Sequence, residues 1–176
     1  MINTQPIIFL DIDGVLNSEI FYQERHLRFE SGEISRDEEN SSKNNICPKI
    51  ISYLNTLCHQ IDAVVVITST WRSGETVESM QDKFNEVGAT FKIISLTPYT
   101  GYERGTEISK WLKDNIIPEK YGCYYFDFRN YVIIDDDDDM LLKQQYHFFK
   151  IDKYIGLTPT ICDDIRIFIT GKTFSH

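Results

Sequence analysis

Asp11 and Asp13 are separated by one apolar residue and followed at once by Gly14 and Val15. Residues i and i+2 of an extended segment point the same way, so both carboxylates face one site, and the glycine permits a sharp backbone turn after them. A carboxylate is a competent nucleophile at phosphorus, and a second acid two residues on can protonate the leaving oxygen and later activate water. The pair therefore suits phosphoryl transfer through an aspartyl-phosphate. Charge is the obstacle. Two unit charges about 4 Å apart at an effective dielectric near 20 interact by roughly 4 kcal/mol, so a carboxylate facing a dianionic phosphate meets roughly 8 kcal/mol of repulsion. A bound cation and a basic side chain are required.

The elements that must position these groups are short apolar runs. Ile7-Ile8-Phe9-Leu10 reads as a strand buried on both faces, and in open α/β sheets ligands bind beyond the carboxyl ends of such strands. A second run, 63–68, ends in Thr68-Ser69-Thr70, whose hydroxyls and following amides suit phosphate oxygens. Either Thr68 or Ser69 is the last residue of that strand, so the hydroxyl that meets phosphate is one of these two. A third run, Tyr131-Val132-Ile133-Ile134, ends in five consecutive acids. Asp135 and Asp136 are hard oxygen ligands suited to Mg²⁺. Asp137 and Asp138 read as a solvated turn, and Asp139 as a helix N-cap or a further site acid. Arg104, just before Gly105 and a helix start, offers the required cation. Arg72 is a candidate to reach substrate, whereas Trp71 reads as packing.

Between these ends the spacing predicts helices from Pro48, through Val77 to Gly88, around Ile108 to Leu112, around Met140 to Gln145, and around Ile161 to Phe168, with weaker strands at 91–95 and 148–151. Alternating β and α elements define an α/β fold with a doubly wound, mainly parallel sheet. Residues 17–45 are too polar to bury much and read as a surface insertion, a small cap or flap, mobile at its Asn/Ser-rich end. The aromatic cluster Tyr121, Tyr124, Tyr125, Phe126, Phe128 and Tyr131 reads as a loop and strand packed on the core, with base stacking as the alternative.

With 176 residues, 41% of them hydrophobic, the chain suits one well-buried domain, 1–176. A formal charge of −9 argues against broad non-specific binding to nucleic acid, which depends on Lys and Arg displacing counterions. The four cysteines show no CxxC spacing, so a reduced, intracellular protein is the simplest expectation. No signal-like leader and no bilayer-length apolar run is present, which points to a soluble, cytoplasmic protein without a membrane partner. The sequence assigns no oligomeric state.

Asp11-Ile12-Asp13-Gly14-Val15, Val66-Ile67-Thr68-Ser69, Arg104 and Ile134-Asp135-Asp136 together resemble the four ordered motifs of the haloacid dehalogenase (HAD) superfamily of phosphohydrolases. Residues 9–17, 68–72, 104–108, 131–140 and 156–158 look like stand-alone HAD domains related to the phosphatase module of Swiss-army-knife RNA repair proteins. The resemblance implies a Rossmann-like fold and a Mg²⁺-dependent phosphomonoesterase. In it Asp11 is nucleophile and metal ligand, and Asp13 is general acid/base and gives its backbone carbonyl to the metal. Thr68 or Ser69 and Arg104 bind phosphate, and Asp135 and Asp136 complete the metal site. Arg104 stands where the family more often has lysine, which is not a neutral exchange, since arginine cannot lose its proton. The implied substrate is a terminal phosphate on RNA or DNA. A small-molecule nucleotidase or sugar phosphatase is the alternative, and a catalytically idle domain binding a phosphorylated ligand or partner is the alternative of another class.

Overall fold

The computed structural model describes residues 5–40, 45–116 and 128–171. Its centre is a five-stranded parallel sheet formed by β1 (Ile7–Leu10), β2 (Val64–Ile67), β3 (Ile93–Leu96), β4 (Tyr131–Asp135) and β5 (Phe148–Lys150). The strand order is β3-β2-β1-β4-β5, so the chain works outward from β1 to one edge and then returns to lay β4 on the other side. The order reverses between β1 and β4, which opens a crevice at their carboxyl ends.

Alternation along each strand divides the core. Ile8, Leu10, Val65, Ile67, Val132 and Ile134 point to one face and pack on α3 (Pro48–Ile61), α4 (Val77–Glu86) and the last helix, α6 (Pro159–Thr170). Phe9, Val66, Tyr131 and Ile133 point to the other, where Ile108, Trp111 and Leu112 of α5 (Arg104–Asn115) cover them. Phe9 sits edge-on to both Trp111 and Tyr131, with centroids 5.4 and 5.7 Å away. Both faces of the sheet are covered, as a parallel sheet demands.

Two elements differ from the spacing-based expectation. The strand expected at 91–95 is displaced to Ile93–Leu96, because Phe91 turns into the core against Phe84 and the β2–β3 register shifts between Val65 and Val66. The helix expected around Met140 to Gln145 is a 3₁₀ segment, Leu142–His147. Gln144 and His147 are its buried residues, and in the tighter helix a spacing of three sets them directly in line on one side.

The polar stretch 17–45 is largely helical where described. Ser18 caps α1 (Glu19–Glu30) by accepting from the Phe21 amide, and Ser35 and Glu38 form a capping box on α2 (Arg36–Glu39). Arg25, the one buried residue of α1, donates to the Glu38 carbonyl and to Asn45 Oδ1, which ties the two helices together. The Asn/Ser-rich positions 41–44 lie outside the described residues, as do Tyr121, Tyr124, Tyr125, Phe126 and Cys123. Phe128 and Tyr131 are buried and stack on each other, which is packing. Among the described residues no helix is long and apolar enough to cross a membrane.

Candidate active site

Strand register brings the candidate residues to one level. Leu10 pairs with Ile67 on one side and Ile134 on the other, so Asp11, Thr68 and Asp135, each one step further on, emerge side by side. The ladder continues through them: Thr68 N donates to the Leu10 carbonyl at 2.9 Å and Asp11 N to the Ile134 carbonyl at 3.0 Å.

Asp11 and Asp135 form a buried floor, 5% and 1% exposed. Arg104, at the first turn of α5, reaches between them, with Nη2 3.1 Å from Asp11 Oδ1 and Nε 3.3 Å from Asp135 Oδ2. The Nε proton is not aimed at that oxygen, which leaves Asp135 Oδ2 buried without a hydrogen bond. Burial pushes the Asp11 carboxyl from 3.8 up to about 7 against the pull of Arg104, with Asp136 and Asp13 adding to the rise. Burial, and then the charge of Asp11, pushes Asp135 up to about 8. Asp136 rises too, through burial and the neighbouring Asp137.

This is a site short of positive charge. Asp11, Asp135 and Asp136 each offer an oxygen, and the three lie within 4.8 Å of one another. Hard oxygen donors in excess of nearby cations, one of them buried and unbonded, fit a Mg²⁺ ion. The approach of Asp136 depends on Gly14, whose φ is +72°: a Cβ there would stand 2.5 Å from Asp136 Oδ2. The side chain of Asp13 is not in the cluster.

Thr68 and Ser69 separate on their contacts. Both are fully buried, but Ser69 Oγ accepts from the Trp71 amide at the start of a 3₁₀ turn, Thr70–Arg72, whereas Thr68 Oγ1 has no partner. An unbonded buried hydroxyl beside Asp11 is the better candidate for a phosphate oxygen. Arg72 is engaged within the protein. Its guanidinium is buried, donates to the Thr68, Ser69 and Thr97 carbonyls, and pairs with buried Glu107 of α5. Glu107 also accepts from the Thr100 amide at 3.0 Å. One buried pair therefore pins the segments after β2 and β3 to the helix that carries Arg104.

Asp13 is exposed at the mouth, and each of its oxygens accepts one hydrogen bond, from Asn17 Nδ2 and from Trp71 Nε1, both at 2.8 Å. Trp71 packs on the core as expected but also makes this polar contact, which its apolar character does not foretell. Helix α1 borders the mouth: burial and then the Asp13 charge raise the Tyr22 hydroxyl above its usual range.

The acidic run after β4 divides by position. Asp137 N turns back to Asp135 Oδ1, Asp138 pairs on the surface with Lys150, and Asp139 Oδ2 accepts from the Arg104 amide at 2.8 Å. Asp139 thus caps α5 from across the crevice, neither capping its own segment nor joining the metal cluster. Close approach here requires Gly105, where a Cβ would stand 2.5 Å from Leu141 N. Glu107 is a residue that the sequence reading misses. Its place three residues after Arg104, on the same helical face, is the signal that points to it.

A parallel sheet ordered about a central strand with paired carboxylates, a hydroxyl strand end, a helix-borne arginine and an acidic strand end defines a HAD-type, phosphatase-like hydrolase fold. HAD domains generally use Mg²⁺. The profile of one family, described as the HAD domain in Swiss Army Knife RNA repair proteins, matches residues 7–161, and the chain belongs to that family. No curated protein and no solved structure shows a significant match to it.

Proposed function

We propose that the whole chain acts as one Mg²⁺-dependent phosphomonoesterase domain working through an aspartyl-phosphate on Asp11, with a terminal phosphate of a nucleic acid as substrate. The observation that carries this reading is the levelling of Asp11, Thr68 and Asp135 beside the switch point, with Arg104 reaching between the two acids. Asp11, Asp135, Asp136 and the backbone carbonyl of Asp13 would hold Mg²⁺, which supplies charge neutralisation for a phosphoryl group.

The chain's own residues account for the rest. Arg104 swings its fork from the carboxylates to phosphate oxygens, Thr68 Oγ1 donates to another, and Asp11 is held by the sheet for in-line attack. Asp13, solvated at the mouth, exchanges its proton with the leaving group and then with water. The ladder bond at the Asp11 amide keeps the nucleophile fixed while the exposed acid can accommodate a bulky leaving group. An open mouth favours a macromolecular end, and the RNA repair context of the family points the same way.

The test is phosphate release, with Mg²⁺ and with chelator, from 5′- and 3′-phosphorylated oligonucleotides, nucleoside monophosphates and sugar phosphates. Metal-dependent release preferring an oligonucleotide end is expected. Preference for a small ester would move the substrate to metabolites, and no release from any member would favour an idle binding domain.

A further inference from the structure

The two hydrogen bonds on Asp13 come from Asn17 Nδ2 and Trp71 Nε1, on segments that meet only at the site mouth. Asn17 is 2% exposed, and its orientation is set because its Oδ1 accepts from Gly14 N at 2.9 Å, which turns the amino group to Asp13 Oδ1. The indole of Trp71 is partly exposed, so water can satisfy its N–H and burial does not force a protein partner. It nevertheless crosses from the segment after β2 to Asp13 Oδ2, 58 residues away in the chain, at 2.8 Å. An indole nitrogen donates and cannot accept, so the contact has one polarity only.

Two donors on the two oxygens fix the plane of the carboxyl group, which an exposed aspartate otherwise lacks. We propose that Trp71 is a positioning residue that, with Asn17, aims Asp13 at the leaving oxygen of the substrate. The assignment rests on the phosphomonoesterase reading above. In the first step an Asp11 oxygen bonds to phosphorus, the bond from phosphorus to the leaving oxygen breaks, and the Asp13 proton passes to that oxygen. In the second, water bonds to phosphorus and gives a proton to Asp13 as the Asp11–phosphorus bond breaks, which returns inorganic phosphate and both carboxyl groups to their starting forms. Misaiming Asp13 harms the first step only where the leaving oxygen needs a proton.

The experiment compares kcat/KM for glycerol phosphate, a poor leaving group, and 4-nitrophenyl phosphate, a good one, in the native chain and Trp71→Phe with Mg²⁺. Because kcat/KM reports steps up to loss of the leaving group, it isolates the first proton transfer. Trp71→Phe is expected to lose about 10- to 100-fold on glycerol phosphate and about twofold or less on the nitrophenyl ester. Trp71→His, which restores a ring N–H, should recover part of the loss. The ratio of the two substrates is read in one sample, so a reduced folded fraction cancels. Equal falls on both esters, or no fall on glycerol phosphate, in an active protein would overturn the positioning role alone. A native chain that releases phosphate neither from these esters nor from the 5′- and 3′-phosphorylated oligonucleotides would instead overturn the phosphomonoesterase reading and this assignment with it.

Discussion

The floor and the mouth of the site use the same residue type in opposite settings. On the floor, Asp11 and Asp135 are buried, raised in pKa, and share one arginine. At the mouth, Asp13 is exposed and held by two neutral N–H donors. Buried charges are costly without compensation, so the proposed function gives the floor to a cation and the proton exchange to the exposed acid at the mouth. Position along the chain separates the two settings: Asp11 and Asp135 stand at the end of the ladder, and Asp13 two residues beyond it.

The sharpest way to break this comparison is to neutralise one acid of the floor. Asp11→Asn should lower turnover by about a thousandfold or more while the protein stays folded, since an amide neither attacks phosphorus nor adds to the repulsion around Asp135. Phosphate release alongside circular dichroism checks both halves. The next largest effect falls on the brace beneath the floor. Glu107→Ala leaves the buried Arg72 guanidinium without its acid, and chemical denaturation should show a loss of about 3–5 kcal/mol.

Gly14→Ala joins floor to mouth. The substitution meets Asp136 and a φ of +72°, so it should cost about 1–3 kcal/mol and weaken Mg²⁺ binding measured by calorimetry. Titration offers a gentler probe. Asp11 and Asp135 have folded pKa values raised above 3.8, so the folded state binds more protons than the unfolded one between those limits, and stability falls as pH rises through about 7 to 8. The Tm of metal-free protein should therefore decline from about pH 6 to about pH 8, and Mg²⁺ should raise Tm more at the upper end. The smallest effect belongs outside the site: Lys150→Ala removes an exposed pair with Asp138 and should leave Tm unchanged by calorimetry.

Much of this site is legible in the sequence because strand ends are legible. Runs such as Ile7-Ile8-Phe9-Leu10 and Tyr131-Val132-Ile133-Ile134 mark buried parallel strands, and the residues just beyond each run must sit at the crevice. That logic singles out Asp11, Asp13, the pair Thr68 and Ser69, Asp135 and Asp136, and the need for positive charge singles out Arg104, while the choice of Thr68 over Ser69 waits for their contacts. Cross-chain contacts are not legible. Trp71 reads as an apolar ring until β2 is laid beside β1, and Arg72 reads as a candidate to reach substrate until Glu107 of α5 is placed against it. Asp139 likewise finds its partner 35 residues back, at the start of α5. Within the 3₁₀ segment Leu142–His147, Gln144 donates to the Gly105 carbonyl, a tertiary bond that no periodicity within the segment foretells.

The central claim is that Asp11 carries the phosphoryl group. The most direct measurement is peptide mass mapping of protein quenched in acid during turnover of a phosphorylated oligonucleotide with Mg²⁺. The account predicts a phosphoryl mass gain on the peptide containing Asp11, absent in Asp11→Asn. Turnover with no gain on that peptide, or with the gain on another residue, would contradict it.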